Sequence, residues 1–173
     1  MNILITGRPG VGKTTLLVWI QKKVEVHGSS IGGVYCPEIR EGNRRTGFKI
    51  IDIATGNKGV LASINGRGPL VGKYHVNLDD LENIGISAIE NALEIAEYIF
   101  IDEIAPMELK SRSFSNAVWQ ALESQKPVIA VIHKRSNHPF ILNVKNRDDV
   151  NIFNISPKNR DSVKEAIQEI LKI

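Results

Sequence analysis

The chain has a single cysteine, Cys36, no long apolar run and only a small charge imbalance. One thiol can make neither an internal disulfide nor a four-ligand metal site, and Cys36 reads as a small strand residue. A membrane span needs roughly 18 consecutive apolar residues, and no stretch approaches that. The opening Met1-Asn2-Ile3-Leu4-Ile5 meets Thr6-Gly7 too soon for a signal peptide, so the expected address is the cytoplasm. A net charge of +3 is far below that of a dedicated nucleic-acid binder, and nucleic acid is not an expected partner. What the chain does have is 173 residues, of which 42% are hydrophobic and 6% aromatic, enough for one domain over residues 1–173 with its own core. Anionic small molecules remain open as ligands.

Hydrophobic spacing orders the elements. Asn2 to Thr6 reads as a strand, and Leu16, Leu17, Ile20 and Val24 share one face of a helix over Thr14 to Glu25. Three further strands, Ile31 to Tyr35, Phe48 to Ile53 and Val60 to Ile64, are separated by turn-forming residues, which predicts an antiparallel meander. Gly66 to Tyr74 is glycine-rich and reads as a loop, after which Asn77 can cap a helix that carries Asp79 and Asp80 in its first turn. Tyr98 to Ile101 reads as a strand, and Ser111 to Gln125 as a helix stopped by Pro127. Val128 to Ile132 and Val150 to Ile155 read as buried strands parallel to the first, and the segment from Arg160 reads as an amphipathic helix on the sheet.

Gly7-Arg8-Pro9-Gly10-Val11-Gly12-Lys13-Thr14, followed by Thr15, fits G-x-x-x-x-G-K-[ST] between a strand and a helix. Phosphate oxygens need many donors at close range; glycines let backbone N–H groups curl around them, and a helix N-terminus adds a favourable dipole. Lys13 can reach the outer phosphates, and Thr14 can offer its hydroxyl to Mg²⁺. Asp102, at the tip of an apolar strand, can hold the same ion, and Glu103 can orient a water for attack on the γ-phosphate. Arg40, Arg44, Arg45 and Lys49 gather around the first meander turn, where one of them, Arg45 the leading candidate, can neutralise charge on a transferring phosphoryl group; a solvated turn is the competing reading.

With these motifs the chain resembles the small nucleoside-triphosphatase family first described from thermophiles, which includes a human cancer-related member. The resemblance rests also on Gly33 to Arg40, Arg45 to Phe48, Gly72 to Asn77, Ile101 to Leu109 and Asn159-Arg160-Asp161, and covers nearly the whole chain. It departs at Ala105-Pro106, where members often have glycine followed by lysine. It implies an α/β P-loop fold of RecA type, a mostly parallel sheet flanked by helices with an added antiparallel β-meander. It also implies Mg²⁺-dependent hydrolysis of several nucleoside triphosphates, among them ATP and GTP. By the same resemblance His133 falls near the γ-phosphate, and Arg160 approaches the base or the phosphates. A nucleoside or nucleotide kinase using the same phosphate loop is the alternative, with the arginine-rich segment as its lid. A GTPase switch is disfavoured, because Asp102 is followed by Glu103-Ile104-Ala105 and Lys145-Asn146 reverses the guanine-reading pair.

Overall fold

The computed structural model describes all residues, Met1–Ile173. Its centre is a ten-stranded sheet in the order β10-β1-β9-β8-β2-β4-β5-β7-β6, with β3 paired to β4. The strands are β1 (Asn2–Gly7), β2 (Ile31–Tyr35), β3 (Glu38–Glu41), β4 (Arg44–Asp52), β5 (Lys58–Ser63), β6 (Leu70–Val71), β7 (Tyr74–Val76), β8 (Tyr98–Ile104), β9 (Val128–Ile132) and β10 (Val150–Ile155). From β10 to β2 every pairing is parallel; from β2 onward every pairing is antiparallel.

The central strands β1, β8 and β9 of the parallel half are buried on both sides, and the period of two explains how; β10, expected to be buried, is the edge strand and buries only Ile155, with Ile152 43% exposed. In β1, Ile3 and Ile5 face one layer while Leu4 faces the other; in β9, Ile129 and Val131 oppose Val128, Ala130 and Ile132. The first layer packs on α1 (Lys13–Val26) and α6 (Arg160–Leu171), through Leu16, Ile20, Val163 and Ile167. The second packs on α3 (Ser87–Ile95), α4 (Arg112–Glu123) and α5 (Pro139–Lys145), through Ile89, Ala92, Phe114, Val118 and Ile141. Ser111 caps α4 by accepting from the Phe114 N–H at 3.2 Å.

The segment read as a loop over Gly66 to Tyr74 instead contains β6 and the first residue of β7, pairs too short for a periodic signal. Asn77 does cap the following helix, accepting from the Asp80 N–H at 3.1 Å. That helix begins as α2 (Leu78–Asp80), widens into a π-helical turn over Leu81–Ile86 and continues as α3. Gly85 lies in the wide turn, where a Cβ would meet Ile50 Cδ1 at 2.7 Å, so β4 can press against the helix. Two short elements escape the periodicity reading altogether: β3, and α5, whose cap is His138 accepting from the Phe140 N–H at 3.2 Å.

Because β9 lies between β1 and β8, the ends of three parallel strands come together on one edge of the sheet. Gly7 closes β1, Asp102 and Glu103 lie near the end of β8, and His133 follows β9. Open α/β sheets bind ligands outside the carboxyl ends of their strands.

Candidate active site

The phosphate loop leaves β1 at Gly7 and enters α1 through Gly12, whose φ of 95° and ψ of 30° suit only glycine. No side chain caps α1 and no acidic residue lies in its first turn, so the first N–H groups of the helix are left for an anion. Lys13 folds back over the loop, its Nζ 3.3 Å from the Arg8 carbonyl and 3.5 Å from that of Gly7. Two carbonyls hold the ammonium over the same concavity.

Thr14 Oγ1 donates to Asp102 Oδ2 at 3.0 Å, which ties the first turn of α1 to the tip of β8 across β9. Asp102 is only 2% exposed. Burial first, and then the charge of Glu103, push its carboxyl up to about 7, while the Thr14 hydrogen bond and Lys13 pull the other way. A buried carboxylate short of positive charge, beside a hydroxyl oxygen, is a fitting donor pair for a hard divalent cation. No cluster of three or more His, Cys, Asp or Glu side chains offers a closed metal cage. Mg²⁺ does not require one, since it is usually held by one or two protein oxygens with waters and substrate phosphates.

Glu103 is raised chiefly by burial, opposed by its interactions with Lys13 and His133. His133 Nδ1 accepts from the Arg135 N–H at 3.3 Å, which places the ring proton on Nε2 as a donor. The His133 carbonyl in turn accepts from Lys145 Nζ at 2.7 Å.

Apart from Lys145, these groups line one cleft of about 1000 Å³. Gly7, Arg8, Pro9, Gly10, Gly12, Lys13, Thr14, Thr15, Asp102, Glu103, His133 and Arg45 are brought together there. Val11 and Arg160 are not among its walls. Arg160 lies behind the loop, where its guanidinium donates to the Val11 carbonyl at 2.5 Å and sits 3.1 Å from where a Gly12 Cβ would be. It braces the loop from outside the cleft. Of the basic cluster at the meander only Arg45 lines the cleft, donating to the Tyr74 hydroxyl and to Glu38, each at 2.9 Å. Arg40 pairs with Glu38 instead, and Arg44 and Lys49 are exposed.

The same walls include Tyr35, Cys36, Glu38, Met107, Glu108, Lys134 and Arg135, which motif reading did not assign to the site. Cys36 lies one residue beyond β2, and burial, with Glu108 next, raises its thiol well above the usual range. That favours an inert thiol. Glu108 is 4% exposed and its Oε2 has no partner.

Residues 2–168 match the family model described as NTPase. The protein named nucleoside-triphosphatase THEP1 of Thermotoga maritima is 49% identical over 173 residues, covering 99% of this chain and 96% of its own. That of Methanosarcina acetivorans is 48% identical over 168 residues, covering 96% and 94%. The crystal structure of THEP1 from Aquifex aeolicus superposes with a TM-score of 0.86 at 36% identity over 100% of both chains. The solution structure of a human cancer-related nucleoside triphosphatase does so at 0.81 and 31%, covering 98% and 96%. Matched along nearly its whole length in both sequence and fold, the chain belongs to the NTPase family.

Proposed function

We propose that this nucleoside-triphosphatase cleaves the bond between the β- and γ-phosphates of nucleoside triphosphates, with Glu103 taking a proton from the attacking water. The observation that carries this reading is the meeting of Glu103 with Lys13, Thr14 and Asp102 in one cleft at the ends of parallel strands. The loop N–H groups and Lys13 hold the phosphates. Asp102 and Thr14 would hold Mg²⁺, which when bound neutralises charge on the β- and γ-phosphate oxygens.

Glu103 is close enough to Asp102 for their charges to interact, yet it makes no hydrogen bond to Thr14. It is therefore available to orient a water in line with the γ-phosphorus and accept its proton. His133, donating through Nε2, can hold a γ-phosphate oxygen. Arg45 can reach the same group by releasing Glu38, with which it forms a half-exposed ion pair of small strength. Arg160 acts on the nucleotide through the loop it braces. Nothing in the chain forms a guanine-reading Asn-Lys-x-Asp motif, so several bases are accepted. The enzyme works in the cytoplasm, where triphosphates and Mg²⁺ are abundant.

A panel of ATP, GTP, CTP and UTP with Mg²⁺ and no added acceptor tests this directly. Phosphate and the matching diphosphate should appear in equal amounts from each, and retention of all four triphosphates would overturn the assignment.

A further inference from the structure

The cleft exceeds what a triphosphate chain on the loop requires, since about 1000 Å³ is the upper end of the range for small-molecule sites. Its far end is built by the antiparallel half of the sheet and the turn after β8. Phe48 of β4, Leu61 of β5, Val71 of β6 and Met107 give it apolar walls. Arg45, the one cation from the meander in the lining, is already engaged by Glu38 and Tyr74. With Arg45 drawn to the γ-phosphate, an anionic acceptor would find no second cation from the meander on that side.

Glu108 supplies the polar group. It lines the cleft, is 4% exposed, and its Oε2 has no hydrogen-bond partner. A buried carboxyl oxygen left unpaired costs free energy that a bound ligand can recover. Burial, with the charges of Glu103 and Asp102, raises its carboxyl well above the ordinary range. Its unpaired Oε2 is an acceptor for an amino or ring N–H group on the edge of a heterocyclic base.

We propose that this chamber binds an uncharged nucleoside, its base edge on Glu108 between the apolar walls, and that the enzyme transfers the γ-phosphoryl group of a bound triphosphate to a nucleoside hydroxyl as a second activity. The proposal rests on the reading of Glu103 as the group that accepts the nucleophile's proton. The hydroxyl oxygen attacks the γ-phosphorus and forms a new O–P bond. The bond from that phosphorus to the β–γ bridging oxygen breaks, the diphosphate leaves with the electron pair, and the hydroxyl proton passes to Glu103. Water and nucleoside compete for one phosphoryl group.

The test uses the full chain with γ-labelled ATP, Mg²⁺ and, separately, millimolar adenosine, cytidine, uridine and thymidine. At least one should yield labelled nucleoside monophosphate at 10-fold or more above the protein-free control, with ADP equal to labelled nucleoside monophosphate plus labelled phosphate. Glu108→Gln keeps the volume but fixes donor and acceptor differently, and should change the ranking of the four nucleosides. Val71→Trp, at a partly exposed position, fills the chamber and should lower transfer by about 10-fold without raising the KM for ATP. A raised KM for ATP in Val71→Trp would instead put the base of the triphosphate itself in the chamber, and would overturn the proposal. Phosphate release without labelled nucleoside from any of the four would overturn it and leave the hydrolase standing. Labelled nucleoside without basal phosphate release would support it and remove the hydrolase.

Discussion

In the parallel half of the sheet, β1, β8 and β9 are buried on both faces and deliver site residues at their ends; in the antiparallel half, β3 and β4 are largely solvated at Glu38 to Arg45. The two halves hold their functional groups in different ways. Gly12, Lys13 and Thr14 are placed by backbone geometry and by a hydrogen bond to a carboxyl that is 2% exposed. Arg45 is placed by an ion pair whose partners are each 41% exposed, and by the rings of Phe48 and Tyr74 at 5.1 and 5.6 Å from its guanidinium carbon. Positioning in the first half comes with the fold, while in the second it is held by contacts worth about 1 kcal/mol or less each. Rigid phosphate recognition and an adjustable flank are thereby divided between the two halves.

That division predicts a descending series of effects. Lys13→Ala should have the largest, lowering turnover by about 10² to 10³-fold, the scale for losing one preorganised electrostatic contact. Its fold should persist, because the ammonium rests on two carbonyls rather than in the core. Stabilisation by Mg²⁺-nucleotide in thermal unfolding should shrink accordingly. Undiminished stabilisation and turnover would remove Lys13 from the site.

Next comes the pH dependence of the metal-free protein. An aspartate carboxyl in water titrates at 3.8, whereas Asp102 in the folded chain titrates at about 7. Between those values the folded state holds a proton that the unfolded state has lost, so stability falls as pH rises from about 4 to 7 and stays low above. At about 1.4 kcal/mol per pH unit the loss is on the order of 4 kcal/mol. Chemical denaturation at pH 5 and pH 8 measures the part of it lost above pH 5, about 3 kcal/mol, and Asp102→Asn should flatten the profile.

On the meander, Arg45→Ala should lower kcat by tenfold or more with little change in KM, and stability by about 1 kcal/mol or less. Arg40→Ala, which removes an exposed pair outside the cleft, should change neither. Equal, silent behaviour of both variants would return the whole basic cluster to the solvated surface and leave the parallel half to do the chemistry alone.

The same division governs what can be read in the sequence. The phosphate loop is legible because its geometry is local: glycine spacing, the lysine and the strand and helix on either side are contiguous. Asp102 and Glu103 are legible as the polar end of an apolar run. The bracing role of Arg160 is not, since its contact with Val11 spans 149 positions and depends on how α6 packs beside α1. Glu108 lies in a single 3₁₀ turn, Glu108–Lys110, where no periodicity marks a buried face. The π-helical turn at Leu81–Ile86 breaks the 3.6 spacing of the helix that Asn77 caps. The meander is anticipated by its turns, but β3, β6 and β7 are two to four residues long and leave no pattern that a sequence can display.

The central claim is that Glu103 activates the water, and phosphate release by Glu103→Gln tests it most directly. The substitution keeps the side-chain shape and leaves Lys13, Thr14 and Asp102 in place, but removes the negative acceptor. The account predicts turnover lower by about 10²-fold or more, the scale for losing a positioned general base, with Mg²⁺-triphosphate still bound and recoverable intact. Equal rates of phosphate release from the wild type and from Glu103→Gln would contradict it.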